Sequence, residues 1–348
     1  MRRIALVIMA AAAALVPVPA GLVEKVYSSG LYPAWQPLAT RVSNLTPIAL
    51  LDVLMIAVAV AWIGAVVRDA RRRSWHHTLV RASVRTIVWG AGFYTLFLAA
   101  WGLNYRRLPL VETLQFDAGA VSPESVHDLA TATVARLNAL YAEAHAASVA
   151  ATDRVDPALS TAFARALADL GRPTVFVPAW PKGTVLNPYF RRAGVDGMTD
   201  PYFLETLVAH ELLPVERPFV VAHEWSHLAG IADEGEANFA GWLTCVRGQP
   251  AHQYSGALLL YAELSSALRG RDRALVASRL AQGPRDDLFA IARRHEQNVN
   301  PRVADVGWRV YDRYLKANRV ERGAASYDEV VRLVLGVRFS PDGVPLRR

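Results

Sequence analysis

The stretch Pro218-Phe-Val-Val-Ala-His-Glu-Trp-Ser-His-Leu-Ala-Gly230 decides how the rest of this chain is read. Pro218 suits the start of a helix, and Gly230 suits the left-handed residue just past its end. Residues four apart share a helix face, so His223 and His227 can point at one ion. Glu224 is turned by about 100° from His223, beside such an ion rather than on it. Two imidazoles and an adjacent carboxylate at this spacing fit a catalytic zinc site. The metal lowers the pKa of a bound water, and the carboxylate takes its proton and passes it to a leaving amine. The apolar run Phe219, Val220, Val221, Ala222 puts this helix in a protein interior.

Three acids compete for the third ligand position: Asp233, Glu234 and Glu236. Asp233 fits a chain that turns at Gly230 and supplies its ligand at once. Glu234 fits a ligand on a second helix, which Asp233 would cap. Glu234, Ala237, Asn238 and Gly241 would then share one face. That face is small enough for two helices to approach closely. Asn238 is placed to hydrogen-bond a ligand histidine, while Glu236 points the other way. Glu234 therefore ranks first, Asp233 second and Glu236 third.

Upstream, three apolar stretches of about 20 residues, the length a helix needs to cross a bilayer, occupy about 4–23, 47–67 and 84–103. The first also resembles a signal peptide, with Arg2-Arg3 before the apolar run and Val18-Pro19-Ala20 as a cleavage site. A loop over 68–83 carries Arg68, Arg71, Arg72, Arg73 and Arg81, with Arg85 just beyond, against the single acid Asp69. By the positive-inside rule that loop is cytoplasmic. The Glu24–Thr46 loop and everything after Tyr105 then face outward. Asp52, a turn inside the second span, is expected near the outer interface with a basic partner. The net charge of +7 reflects this membrane-flanking run, so no nucleic-acid partner is expected.

Residues 1–107 read as a transmembrane anchor and 108–348 as one mainly helical outer domain. Pro123–Ala147 reads as a helix capped by Ser122, and Pro157–Leu170 as a second, closed by Gly171. Thr174–Val177 and Tyr202–Val208 are strand candidates, and Pro178–Gly197 reads as loop. Cys245 is the only cysteine, which excludes an intrachain disulfide. A peptidase also needs a donor for the oxyanion, and Tyr254, His295, Tyr311 and Tyr314 are available. His210-Glu211 lacks a partner histidine four residues on, and His76-His77 falls in the cytoplasmic loop.

His-Glu-x-x-His-x-x-Gly followed by Glu-x-Glu-Ala-Asn-Phe resembles the bacterial membrane proteins of domain-of-unknown-function family 3810. The resemblance extends to Trp101-Gly-Leu-Asn-Tyr105, Gln253-Tyr-Ser-Gly256, Tyr311-Asp-Arg-Tyr-Leu-Lys316 and Ala325-Ser-Tyr-Asp-Glu-Val-Val331. It implies an N-terminal membrane anchor, a zincin-like domain and a glutamate ligand at Glu234.

The expected fold is mainly α: three transmembrane helices followed by a zincin-like α(+β) metallopeptidase domain. The expected site has Zn²⁺ held by His223, His227 and Glu234, with Glu224 as general base and Asn238 behind the ligands. The expected activity is hydrolysis of an extracytoplasmic protein or peptide, by a multi-pass protein of the bacterial inner membrane. The alternative is a catalytically inactive, zinc-stabilised membrane protein that binds a partner.

Overall fold

The computed structural model describes residues 1–146, 154–318 and 329–348. Two helices, α4 (Leu50–Arg72) and α5 (Trp75–Ala100), are long and apolar enough to cross a membrane. Only 17% and 11% of their apolar windows are covered by protein, so most of both surfaces is free to meet lipid. The arginines expected in a loop instead sit on the ends of these two helices, joined by a tight turn at Arg73 and Ser74. Arginine is a good helix former, and Asp69 ties the ends together by pairing with Arg81 and Arg85.

The first apolar stretch behaves differently from the expected single span. α1 (Arg2–Leu15) stops where Pro17 and Pro19 break the backbone hydrogen bonding. Its 14 residues reach about 21 Å, short of a hydrocarbon core of about 30 Å. The chain then bends by 111° into Ala20–Ser43, so a third span exists only if this bent pair counts as one.

Ala20–Ser43 corrects the expected outer loop. It is helical throughout: α2 (Ala20–Leu22), a π-helical stretch Val23–Leu31, and α3 (Tyr32–Ser43). Val23, Tyr27, Tyr32 and Ala39 are buried in the same core as Trp225 and Phe239. Phe97, Leu98 and Trp101 from the end of α5 join them, so the core spans residue 107.

Beyond α5 come a 3₁₀ turn (Gly102–Arg106), α6 (Leu110–Thr113), α7 (Pro123–Ala146) and α8 (Pro157–Asp169). Residue 147, the expected end of α7, lies outside the described residues. Ser122 accepts from Ser125 N, and Gly171 adopts φ +66° just past α8. Thr174–Val177 is not a strand. Its backbone partner is a side chain: Gln36 donates to Val177 O and accepts from Val177 N. A single long amide on α3 thus satisfies groups that a neighbouring strand would otherwise pair.

The expected loop Pro178–Gly197 contains β1 (Pro181–Lys182) and α9 (Asn187–Ala193). β2 (Gly197–Asp200) and β3 (Glu205–Val208) complete a three-stranded sheet of order β1-β3-β2. β1 runs parallel to β3 and β2 antiparallel, pairing Gly197 with Val208 and Asp200 with Glu205. The strand expected over Tyr202–Val208 is thus shorter and central, with Leu204 at φ +54° turning the chain into it. The sheet grips the anchor. Glu205 accepts from Leu50 N and Leu51 N, capping α4, and pairs with buried Lys182 at 2.7 Å. Asp52 accepts from the Thr184 hydroxyl and Val185 N, rather than from the basic neighbour expected.

The remaining helices are α10 (Arg217–Leu228), α11 (Glu234–Val246), α12 (Pro250–Ala267), α13 (Gly270–Ser278), α14 (Gln282–Asn298), α15 (Pro301–Ala317) and α16 (Glu329–Gly336). α10 and α11 pack closely, and α12 packs on both and on α7. Cys245 is buried in this core. Among the described residues the molecule is mainly helical, with this one small sheet. Residues 325–328 of the segment Ala325–Val331 lie outside the described residues.

Candidate metal centre

α10 places His223 and His227 on one face, and α11 presents Glu234 across from them. Gly241 allows this approach, since a Cβ there would lie 3.1 Å from His223 N. The two Nε2 atoms are 3.0 Å apart, His227 Nε2 is 3.3 Å from Glu234 Oε2, and His223 Nε2 is also 3.3 Å from it. Ligands at about 2.0–2.1 Å from a tetrahedral zinc stand about 3.3–3.4 Å from one another, so the donor set fits that ion.

The end of α10 is held by residues of the anchor. Gly230 takes φ +82°, and Ile231 N donates to Ser226 O in the turn that closes the helix. The last carbonyls of a helix lack partners within it. Here Trp101 Nε1 donates to His227 O (2.8 Å), the Tyr32 hydroxyl to Leu228 O (2.7 Å), and Arg107 Nη1 to Gly230 O (2.7 Å). Arg107 and Arg172 both pair with Glu24, which fixes that guanidinium in place. Sequence reasoning missed all three caps, because nothing local marks a donor that acts more than a hundred residues away.

The Glu234 carboxylate draws positive charge to the cluster. Burial works against protonating His227, but the Glu234 carboxylate outweighs it and raises that imidazole to about 9. Burial likewise works against a charged Glu234, yet His227 and His223 hold it well below the usual carboxylate range. His227 Nδ1 faces Ile231 O at 2.8 Å; in the neutral ring, a proton on Nδ1 donated there leaves the Nε2 lone pair toward the other ligand atoms.

Glu224 lies beside the ligands, almost fully buried. Burial raises its pKa, against the opposing charges of His223 and His227. Thr199 of β2 fixes it: its hydroxyl is 2.9 Å from Glu224 Oε2 and 2.8 Å from Glu224 O. Gly197 of the same strand is needed for this approach, since a Cβ would lie 2.6 Å from Glu224 Oε1. Neither residue was singled out from the sequence. Trp225, between the motif's functional positions, points the other way into the core and donates to Ala179 O.

The other candidates separate cleanly. Asp233 caps α11 by accepting from Glu236 N. Glu236 is buried away from the histidines and accepts from Leu110 N. Burial first, with Asp233 nearby, raises it to about 7. Asn238 is buried one turn past Glu234, and neither histidine is hydrogen-bonded to it among the described residues. The polar group behind Glu234 is Tyr311, whose hydroxyl donates to Glu234 Oε1. Tyr254 donates to Asp287, and Tyr314 packs its ring on Phe97 and Tyr105. Glu211 accepts from Asn187, and His77 bonds Ser74 at the exposed start of α5.

Asp196, Glu216 and His295 form a second cluster whose donor atoms lie within 4.8 Å of one another. Arg294 already fills it, donating to Asp196 at 3.0 Å and Glu216 at 2.6 Å. It is an ion-pair cluster, not a vacant ligand set.

No curated protein and no solved structure matches the chain. The family described as "Protein of unknown function (DUF3810)" matches residues 27–335, from the π-helical stretch to the last turn of α16. The chain belongs to that family.

Proposed function

We propose that the protein is a membrane-anchored, zinc-dependent metallopeptidase. It hydrolyses peptide bonds of a protein or peptide substrate outside the cytoplasm, from the inner membrane of a bacterium. The observation that carries this reading is the convergence of His223, His227 and Glu234 with buried Glu224 alongside. A structural zinc site favours a closed ligand set with cysteines and has no use for a base.

His223, His227 and Glu234 would hold the ion. Bound zinc supplies a Lewis acid and lowers the pKa of a water in its open position. Glu224 would accept a proton from the attacking water and pass it to the leaving amine. Thr199 holds the Glu224 carboxylate in place for both transfers. β2 is the edge strand of the sheet, so an extended substrate can pair along it next to Glu224. Tyr311 is a positioning residue, turning Glu234 so that Oε2 faces the histidines. The arginine-rich ends of α4 and α5 favour the cytoplasmic side, which sends the domain outward.

The full chain in detergent is assayed for zinc content and for cleavage of casein and a peptide library, beside Glu224→Gln. Both proteins should hold zinc, and the variant should lose cleavage by about 10²- to 10⁴-fold. Retained zinc with equal, background cleavage in both would leave the non-catalytic binding module instead. Absence of zinc from both would remove either reading.

A further inference from the structure

α15 carries an apolar edge that the domain does not cover. Val306 is 52% exposed and Val310 61% exposed, on a helix whose inner side meets the metal centre. Residues four apart line up along a helix, so Val306, Val310 and Tyr314 form one row. Tyr314 ends that row on the anchor: its ring is 6.1 Å from that of Phe97 in the last turn of α5 and 5.9 Å from that of Tyr105. The row thus ends against the last turn of a helix that is itself apolar enough to cross a bilayer. Leu96 beside Phe97 is likewise exposed.

The charges on α15 are ordered to match. With about 100° per residue, Arg302, Arg309 and Arg313 fall in the strip bordering Val306. The acids Asp305 and Asp312 lie further round, away from the apolar edge. All three arginines are exposed. An apolar edge bordered by arginines, with acids beyond them, suits a helix lying in the headgroup region. There the arginine stems cover apolar surface and their heads reach phosphate.

The geometry points to a bilayer-docking surface: the Val306–Val310 edge of α15 sits in the lipid interface on the domain's side of the membrane. Lipid is the occupant because the row ends against the last turn of a helix apolar enough to cross a bilayer, where Leu96 is also exposed. The same helix brings Tyr311 to Glu234, so the surface that meets lipid is rigidly joined to the metal centre. A substrate reaching Glu224 would then approach along the membrane surface.

The test uses the full chain in phosphatidylcholine–phosphatidylglycerol vesicles, with an environment-sensitive fluorophore on Val306→Cys, Val310→Cys or, as comparator, Asp305→Cys. Cys245 is fully buried, so the unaltered chain is the labelling blank. Probes at 306 and 310 should emit further to the blue than the probe at 305. They should also lose emission in vesicles whose lipids carry bromine near the glycerol, while the probe at 305 should not. Equal emission and equal quenching at all three sites would overturn the proposal. So would disulfide-linked dimers through Val310→Cys that form in place of quenching, because the edge would then meet a second copy. Neither zinc nor cleavage enters the readout, so the outcome is independent of the peptidase reading.

Discussion

Two clusters in this molecule are built from the same residue types and meet different fates. His223, His227 and Glu234 converge with no lysine or arginine paired to them among the described residues, on two helices pressed together at Gly241. Asp196, Glu216 and His295 converge around Arg294, which satisfies both carboxylates. The first is nearly closed to solvent and the second is partly open: His223 and His227 side chains are 12% and 10% exposed, against 40% for His295. Histidines and carboxylates brought together do not by themselves make a metal site. The question is whether the fold has already supplied the positive charge.

The largest effect expected from this contrast is on metal content. His227→Ala should drop bound zinc from stoichiometric to background by elemental analysis, and His295→Ala should leave it unchanged. Equal loss in both variants would break the comparison. Arg294→Met comes next. It strands two carboxylates and should destabilise the chain by roughly 3 kcal/mol in a denaturant titration. Added zinc should partly restore that variant, since its second cluster then lacks a cation as the first does.

Tyr311→Phe keeps the ring and removes the donor to Glu234. Loss of such an outer partner typically weakens metal about 10- to 100-fold, read by competition with a chromophoric chelator, with the melting curve of the metal-free chain unchanged. The smallest effect is on the rim of the second cluster. His295→Ala, at an exposed ion pair of 3.9 Å, should cost less than about 1 kcal/mol.

Much of the centre was legible in the chain because its signals are local. Helix spacing alone put His223 and His227 on one face, and the small residues after Gly230 marked a second helix with Glu234 toward the first. The two long apolar helices were legible from composition for the same reason. The segment Ala20–Ser43 was not. Its prolines and polar residues look like an outer loop, and only burial among Trp101, Leu228 and Phe239 explains its helices. Thr174–Val177 misled in the opposite direction, since β-branched residues in an extended run need not pair with a strand when Gln36 supplies their hydrogen bonds.

By itself the sequence determined the helix that carries His223 and His227 and its close at Gly230, and which two long segments are apolar enough to cross a membrane. Each of these depends on residues within a few turns of one another. Tertiary structure alone put the Tyr311 hydroxyl on Glu234, set Thr199 on Glu224, and gave the carbonyls at the end of α10 to Trp101, Tyr32 and Arg107. It also decided that one gathering of histidine and carboxylate is filled by Arg294 and the other is not. Those outcomes rest on contacts between segments far apart in the chain, whose free energy comes from burial and mutual satisfaction of polar groups, and no local pattern encodes them.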